Sequence, residues 1–176
     1  MNLWFTGDDH FEHEKVIKYS KRPFASLEEM HEILIENWNR VVHPRDIVWH
    51  VGDFSLGKHP ERFTRVLNGQ INICLGNHDY KRKNKLIPLF NWVGDVRYLR
   101  YKDERFFISH YAHRTWRRSN HGSYHVYGHS HGDLPPFRRS MDVGVDSNNF
   151  TPIHIDEVIG RLSNSPINDH HHPDRE

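Results

Sequence analysis

The stretch INICLGNHD, residues 71–79, joins a short apolar strand to a polar turn, and this combination decides the fold. Two further apolar runs end in the same way. LWFT (3–6) leads to Asp8-Asp9-His10, and DIVWHV (46–51) leads to Gly52-Asp53. Runs of about four to eight apolar residues bounded by glycine are typical of buried strands. The three runs therefore predict strands of a layered α/β fold, with polar groups gathered at their carboxyl ends.

The remaining patterns add helices and further strands. Ser26 and Glu29 form a capping box before a helix that ends near Val41, and 60–67 predicts a short helix that Asn68-Gly69 ends. The other predicted strands are a hairpin of 98–101 with 105–109, then 124–127, 141–145 and 153–155. Asp156 is the expected N-cap of a last helix that runs to Leu162.

Composition and length set the outer limits. The 176 residues predict one domain over residues 1–162, followed by a polar tail, 163–176, that we expect to be disordered. Mean hydropathy is -0.82, and no apolar run approaches the roughly 18 residues of a membrane span. Neither a signal peptide nor an internal disulfide is expected, since Cys74 is the single cysteine. These features favour a cytoplasmic protein without membrane contact, and they leave the oligomeric state open.

Five polar motifs follow the predicted strands in a fixed order. They are Asp8-x-His10, Gly52-Asp53, Gly76-Asn77-His78-Asp79, His110 and Gly128-His129-x-His131. Each motif alone is more often a turn or a solvated loop than a metal ligand. Together they supply the carboxylate, amide and imidazole groups that two adjacent divalent metals require. The joint pattern predicts a dinuclear metal site.

The order of these motifs resembles the calcineurin-like metallophosphoesterase superfamily from Asp8 to His131, and more weakly to Leu162. The resemblance implies a β-sandwich flanked by helices, with the site at its edge. It also implies hydrolysis of a phosphoester by attack of a hydroxide that bridges the two metals. Of the metals suited to this oxygen- and nitrogen-rich set, manganese is favoured, and iron, nickel and zinc are the alternatives.

Site roles follow from the resemblance position by position. The first metal is assigned to Asp8, His10, Asp53 and His131, and the second to Asp53, Asn77, His110 and His129. Asp53 is then the bridging ligand. His78 is expected to protonate or stabilise the leaving oxygen, and Asp79 to orient His78. Asp9 is either a competing ligand, a support for His10 or a solvated carboxylate.

Basic residues follow three of the motifs and suggest the class of substrate. The expected substrate contacts are His13, Arg117 and Arg118, and Trp116 and Tyr80 are candidates for stacking on a base. A positive rim of this kind favours a small phosphodiester or nucleotide substrate, with nucleic acid as a further partner. The alternatives are a phosphomonoesterase, including a protein phosphatase, and a catalytically idle module that binds metal or nucleic acid.

Overall fold

The structure is a computed structural model that describes residues 1–168. Its nine strands form two sheets, and five helices accompany them. The strands are β1 Leu3–Thr6, β2 Ile47–His50, β3 Gln70–Cys74, β4 Trp92–Gly94, β5 Val96–Tyr101, β6 Glu104–Ser109, β7 Tyr124–Tyr127, β8 Ser140–Asp142 and β9 Ile153–His154. The helices are α1 Glu14–Tyr19, α2 Leu27–Val41, α3 Glu61–Thr64, α4 Lys83–Leu86 and α5 Ile155–Leu162.

The first sheet has five strands in the order β4-β3-β2-β1-β9. Strands β1 to β4 are parallel, and β9 runs antiparallel to β1. In register, Thr6 of β1 pairs with His50 of β2, and His50 pairs with Ile73 of β3. The carboxyl ends of these strands therefore lie side by side at one edge of the sheet.

The second sheet has four strands in the order β5-β6-β7-β8. β5 and β6 form the predicted antiparallel hairpin, and β6, β7 and β8 are parallel. A buried apolar layer joins the two sheets, in which Phe5 of β1 meets Phe106 of β6 at a ring-centroid distance of 5.6 Å. The predicted layered β-sandwich is confirmed, because apolar faces of both sheets share this core.

Helix α2 covers the outer face of the first sheet and begins as predicted. The Ser26 hydroxyl accepts a hydrogen bond from the Glu29 N–H at 3.1 Å, while the Glu29 carboxylate accepts one from the Ala25 N–H at 2.5 Å. Its apolar residues then pack into a second buried cluster with β2 and β3, where Met30, Leu34 and Trp38 are inaccessible to solvent. No helix within residues 1–168 combines the length and apolar character needed to cross a membrane.

Several element predictions need correction. The sequence pattern missed α1, α4 and β4, which are only six, four and three residues long and lack a clear period. The predicted strand 141–145 is shorter, because the chain leaves the sheet after Asp142 and forms a 3-10 turn at Val145–Ser147. The cap of α5 is the His154 side chain, which accepts from the Asp156 N–H at 3.2 Å, rather than Asp156 itself.

The expected disordered tail divides into two parts. Residues 163–168 contact the domain: Arg139 donates to the Ser163 and Ser165 carbonyls, and Asn168 donates to the Arg114 carbonyl at 2.8 Å. Each of these bonds joins a side-chain donor to a backbone carbonyl and fastens 163–168 to the domain. The disorder expected of the tail stays a prediction. Residues 169–176 lie outside the described residues. A single domain over 1–162 stays a prediction.

Asp46 ties the amino terminus to β2 and generates the first test. Its buried carboxylate accepts hydrogen bonds from the Asn2 N–H at 2.7 Å and from the Trp4 indole at 3.1 Å. Burial raises the pKa of Asp46, but these donors and the His43 N–H outweigh it and lower the pKa to about 2. A carboxyl with a depressed pKa stabilises the folded state above its unfolded pKa of about 3.9.

We expect Asp46→Asn to lower the free energy of unfolding by about 2 kcal/mol near neutral pH, measured by urea denaturation, because charged acceptors are lost. The difference from the wild type should shrink as the pH falls below about 4, where the wild-type carboxyl begins to be protonated on unfolding. Asp103→Asn, at an exposed position, is the control. A deficit that is independent of pH would contradict the assigned role of the charge.

Candidate metal centre

The predicted site residues lie where the strands end. Asp8 and His10 follow β1, Asp53 follows β2, and His110 and His129 follow β6 and β7. Backbone hydrogen bonds connect these loops. The Asp8 N–H donates to the Gly52 carbonyl at 2.9 Å, and the His10 N–H donates to the Asp53 carbonyl at 3.0 Å. Motifs that are far apart in sequence are thus brought together at one edge of the sandwich.

Candidate ligand atoms form three overlapping clusters, in each of which the atoms lie within 4.8 Å of one another. The clusters are Asp8, His10 and His131; His10, Asp53 and His78; and Asp53, His110 and His129. The first and third correspond to the two sets of ligands that the sequence predicts. The second differs from the prediction, because it places His78 among the potential ligand groups.

Asp53 occupies the centre of this arrangement. Its Oδ2 atom lies 3.6 Å from His110 Nε2, 3.7 Å from His10 Nε2 and 3.9 Å from His78 Nε2. These separations are too long for hydrogen bonds, but ligand atoms held at about 2.0–2.2 Å from one ion are separated by similar distances. Burial raises the pKa of the Asp53 carboxyl to about 7. A cation would therefore stabilise its charged form.

Two buried atoms of the site have no hydrogen-bond partner within the described residues. They are Asp8 Oδ1 and His10 Nε2. Burial raises the pKa of Asp8 well above its ordinary value, and the nearby Asp142 and Asp53 carboxylates raise it further. Burial likewise lowers the pKa of His10, so its ring is neutral. Buried carboxylate and imidazole atoms without a partner are the kind of ligand atoms that a divalent ion requires.

Hydrogen bonds on the far side of two imidazoles fix which nitrogen faces the site. His110 Nδ1 lies 2.8 Å from the Val51 carbonyl, and His131 Nδ1 lies 2.6 Å from the Asp146 carboxylate. Because these oxygens only accept, we assign the proton of each ring to Nδ1, which leaves Nε2 as a lone-pair donor. Burial lowers the pKa of His110 to about 4. Its Nε2 lies 3.0 Å from Asn77 Oδ1, so the amide oxygen lies beside this cluster.

Five of the seven predicted ligands adopt a left-handed backbone. The φ angles are 57° at Asp8, 53° at His10, 56° at Asp53, 67° at His129 and 47° at His131. Each costs about 1–2 kcal/mol outside glycine, although aspartate and histidine tolerate this region better than most residues. Such strain persists where the surrounding structure over-determines it. Here the tight turns direct side chains of successive strands into one space.

Two glycines allow the loops to approach the carboxylates. A Cβ atom at Gly128 would stand 2.3 Å from Asp8 Oδ2, and one at Gly76 would stand 2.2 Å from Asp53 Oδ1. Both distances are far below contact distance. The same two carboxylates accept hydrogen bonds from the following loops, at 2.9 Å from the His129 N–H and 2.9 Å from the His78 N–H. Glycine is therefore required so that the backbone can hold each carboxylate.

Sequence reasoning missed Arg22 and Asp146. The buried guanidinium of Arg22 donates to the Asp8 carbonyl at 2.6 Å and to the Asp9 carbonyl at 3.0 Å, and it forms a two-point contact with Asp146 at 2.8 Å. Asp146 in turn orients His131. Arg22 follows Lys21 in a polar stretch of the sequence, where no pattern marks it as a buried residue. Asp146 directly follows a predicted strand, and a polar residue at a strand end is the same signal that marks Asp8 and Asp53.

The predicted partnership of Asp79 and His78 is not what the structure shows. The buried Asp79 carboxylate accepts backbone N–H groups instead, at 2.7 Å from Asp53, 2.9 Å from Gly76 and 3.1 Å from Phe54. These three donors satisfy the carboxylate, which therefore holds the Asp53 loop in place. Asp79 thus fixes the loop of the bridging candidate, and within residues 1–168 it makes no hydrogen bond to His78.

Asp9 is neither solvated nor directed into the clusters. It is buried, and its Oδ2 lies 2.8 Å from His50 Nε2. His50 Nδ1 accepts the Gly52 N–H at 3.0 Å, so we assign the ring proton to Nε2, which donates to Asp9. This interaction braces the turns after β1 and β2 from behind the site.

The predicted substrate contacts divide into two groups. His13 lies at the site, with its Nδ1 3.2 Å from His10 Nδ1, and it lines a cavity of about 700 Å³ beside the clusters. Arg117 and Arg118 line a different cavity, so the structure does not bring them to the metal centre. Trp116 is buried, and its indole donates to the Ser123 carbonyl at 3.1 Å. The prediction that Trp116 stacks on a base is therefore wrong.

The fold and the site together define a phosphoesterase of the calcineurin type. The family model of the calcineurin-like phosphoesterase superfamily domain matches residues 1–138, and the chain belongs to this superfamily. The resemblance noted from the motifs is thus confirmed.

Similar proteins come from an archaeon, a phage and a bacterium. An uncharacterized protein of Methanocaldococcus jannaschii is 32% identical and covers 94% of this chain and 93% of its own. The gene 66 protein of Mycobacterium phage L5 is 26% identical, over 83% of this chain and 87% of its own. A protein of unknown function from Aquifex aeolicus has a solved structure with a TM-score of 0.74 and 21% identity, covering 92% and 99% of the two chains. This structural likeness supports the fold.

Gly128→Ala should displace the Asp8 carboxylate and weaken divalent-metal binding at least about tenfold, because the added methyl group overlaps Asp8 Oδ2. Isothermal titration with Mn²⁺ measures the effect. The matched control is Gly160→Ala in α5, where a Cβ meets nothing within 4 Å, and which should stabilise the protein slightly. Equal metal affinity in the two variants would refute the claim that Gly128 shapes the site.

Proposed function

We propose that this protein is a dinuclear-metal-dependent phosphodiesterase that acts on nucleotide-type substrates. The observation that carries the proposal is the position of Asp53, whose Oδ2 faces imidazole nitrogens of two ligand clusters at 3.6 to 3.9 Å. A carboxylate shared in this way is the bridge that two-metal hydrolases need. The superfamily to which the chain belongs is one of phosphoesterases.

The residues fit two divalent ions, of which Mn²⁺ is the first choice and iron, nickel or zinc the alternatives. Asp8, His10 and His131 would hold one ion, and Asn77, His110 and His129 the other, with Asp53 between them. When bound, the ions supply Lewis-acid chemistry, neutralising phosphate oxygens and activating water. The chain itself contributes the orientation of the ligands, through Asp146, Val51 and the backbone donors to Asp8 and Asp53.

His78 is the residue proposed to act on the leaving group. Its side chain is 39% exposed and lines the cavity of about 700 Å³. Burial lowers its pKa below the ordinary value, although Asp79 opposes the shift, so the ring is mainly neutral at neutral pH. A neutral imidazole still carries an N–H that can donate to a leaving oxygen. His78 therefore stabilises charge as the ester bond breaks.

The cavity beside the clusters supports a substrate with an organic group on both sides of the phosphate. One wall comes from α1 and the turn after it, with Val16, Tyr19 and Lys21, and the other contains Leu134. The apolar and aromatic side chains suit a nucleoside, and the Lys21 ammonium suits a second phosphate. His13 also lines this cavity, with its Nδ1 3.2 Å from His10 Nδ1. The lining thus favours a nucleotide-type diester over a simple monoester.

His78→Ala should retain metal and lower kcat by about 10²–10³-fold for an alkyl leaving group, the range typical of a lost hydrogen-bond donor to a developing oxyanion. The loss should be much smaller for a nitrophenyl leaving group, which delocalises its negative charge and needs little stabilisation by a donor. Steady-state kinetics with the two esters, together with metal analysis, test this. An identical loss for both leaving groups, or loss of metal, would assign His78 to metal binding, as its place in the second cluster allows.

The substrate class is tested with a panel of phosphoesters. We expect cyclic and dinucleotide phosphodiesters to be hydrolysed at least as well as aryl monoesters. Lys21→Gln should raise KM about three- to tenfold for a dinucleotide with a second phosphate, because one charged contact is lost. The KM for an aryl diester should not change in this variant. A general preference for monoesters would favour the phosphatase alternative. If the metal-loaded protein hydrolyses no ester of the panel, the catalytically idle module is favoured.

A further inference from the structure

The outer face of the second sheet carries a second cavity, of about 330 Å³, whose most frequent lining residue is arginine. Arg100, Arg105, Arg117 and Arg118 surround it, together with Tyr98. The cavity lies near the start of β6, whereas His110 follows the end of that strand, about 16 Å away along an extended chain. None of its lining residues lines the cavity at the metal centre.

The positions of these arginines are electrostatically unfavourable, because like charges lie close together. Arg100 of β5 and Arg105 of β6 are direct cross-strand partners, a position in which like charges are destabilising. Within residues 1–168, the one carboxylate within 4.0 Å of any of the four guanidinium groups is Asp103, at 3.5 Å from Arg100 with both side chains largely exposed. The protein therefore leaves a concentrated positive charge without a matching internal anion.

The loop that carries the other two arginines is firmly anchored. The buried Trp116 indole donates to the Ser123 carbonyl at 3.1 Å, and the Ser123 hydroxyl donates to the Arg117 carbonyl at 2.8 Å. Arg118 holds a left-handed conformation with φ 62°, which this network fixes. The two guanidinium groups therefore project from an ordered support, which reduces the entropy lost when they bind a ligand.

The ring of Tyr98 lies among these positive charges. The Tyr98 side chain is 48% exposed, and the Arg117 guanidinium lies 4.8 Å from the centre of its ring. Guanidinium groups match phosphate oxygens at two points, and a planar base can stack on a tyrosine ring or on a guanidinium plane. Positive charge combined with an open aromatic ring is the chemistry of single-strand recognition, because unpaired bases expose their faces.

We propose that this surface, defined by Tyr98, Arg100, Arg105, Arg117 and Arg118, binds single-stranded nucleic acid. The guanidinium groups contact successive phosphates, and Tyr98 with Arg117 supports an unpaired base. The site is separate from the metal centre, so it holds a strand whether or not the phosphodiesterase activity proposed above is correct. A duplex fits less well, because its bases are stacked inside the helix and cannot reach Tyr98.

Fluorescence anisotropy with a labelled thymidine oligonucleotide of about twelve residues tests the proposal on the full chain. Arg105→Glu combined with Arg117→Glu should weaken binding at least about tenfold and reduce the slope of log K against log salt by about 1.4, for two phosphate contacts. Arg45→Glu combined with Arg65→Glu is the charge-matched control, since both residues are exposed and line neither cavity. Thermal melting of each variant verifies folding.

Two further variants separate base recognition from charge. Arg105→Lys with Arg117→Lys keeps the charge but loses two-point contacts, and should weaken binding about three- to tenfold. Tyr98→Ser should lower the affinity for the thymidine strand by about fivefold or more. It should leave the affinity for an abasic strand of equal length unchanged. Equal losses in the two charge-reversal pairs, equal affinity for duplex and single strand, or absence of binding would each overturn the proposal.

Discussion

The structure depends on the close approach of two buried carboxylates, Asp8 and Asp53, at the ends of adjacent parallel strands. Burial raises the pKa of both groups, and the nearby Asp142 and Asp53 carboxylates raise the pKa of Asp8 further. Unpaired buried charges are costly, and neutral imidazoles alone cannot compensate them. Divalent cations can compensate these charges. The role proposed for the site is therefore to hold ions, with the sandwich keeping the candidate ligands at fixed positions.

The supporting contacts explain how the fold maintains this arrangement. Arg22 binds the backbone that carries Asp8 and, through Asp146, orients His131. Asp79 gathers three N–H groups of the Asp53 and Gly76 turns. The left-handed backbone at five predicted ligand positions is strained, and it directs side chains from successive strands into one space. Because the supports are buried and charged, single changes in them should act on the whole site.

Much of this could be read from the sequence, for a physical reason. Apolar runs that end in glycine and polar residues define parallel strands and their carboxyl ends, so Asp8, Asp53, His110 and His129 could be placed at one edge. The predictions that were wrong concern contacts between segments that are distant in the sequence. The pattern could not show that Asp79 binds backbone rather than His78, that Trp116 is buried, or that Arg117 and Arg118 lie on another surface. The role of Arg22 could not be predicted, because nothing near it in the sequence marks a buried arginine.

The most direct test of the account is a crystal structure of the Mn²⁺-loaded protein with anomalous diffraction at the manganese edge. The account predicts two manganese peaks, both in contact with the Asp53 carboxylate, with Asp8, His10 and His131 around one and Asn77, His110 and His129 around the other. The left-handed turns at Asp8 and Asp53 should be retained. A single peak, or two peaks of which one does not contact Asp53, would contradict the central role given to this carboxylate.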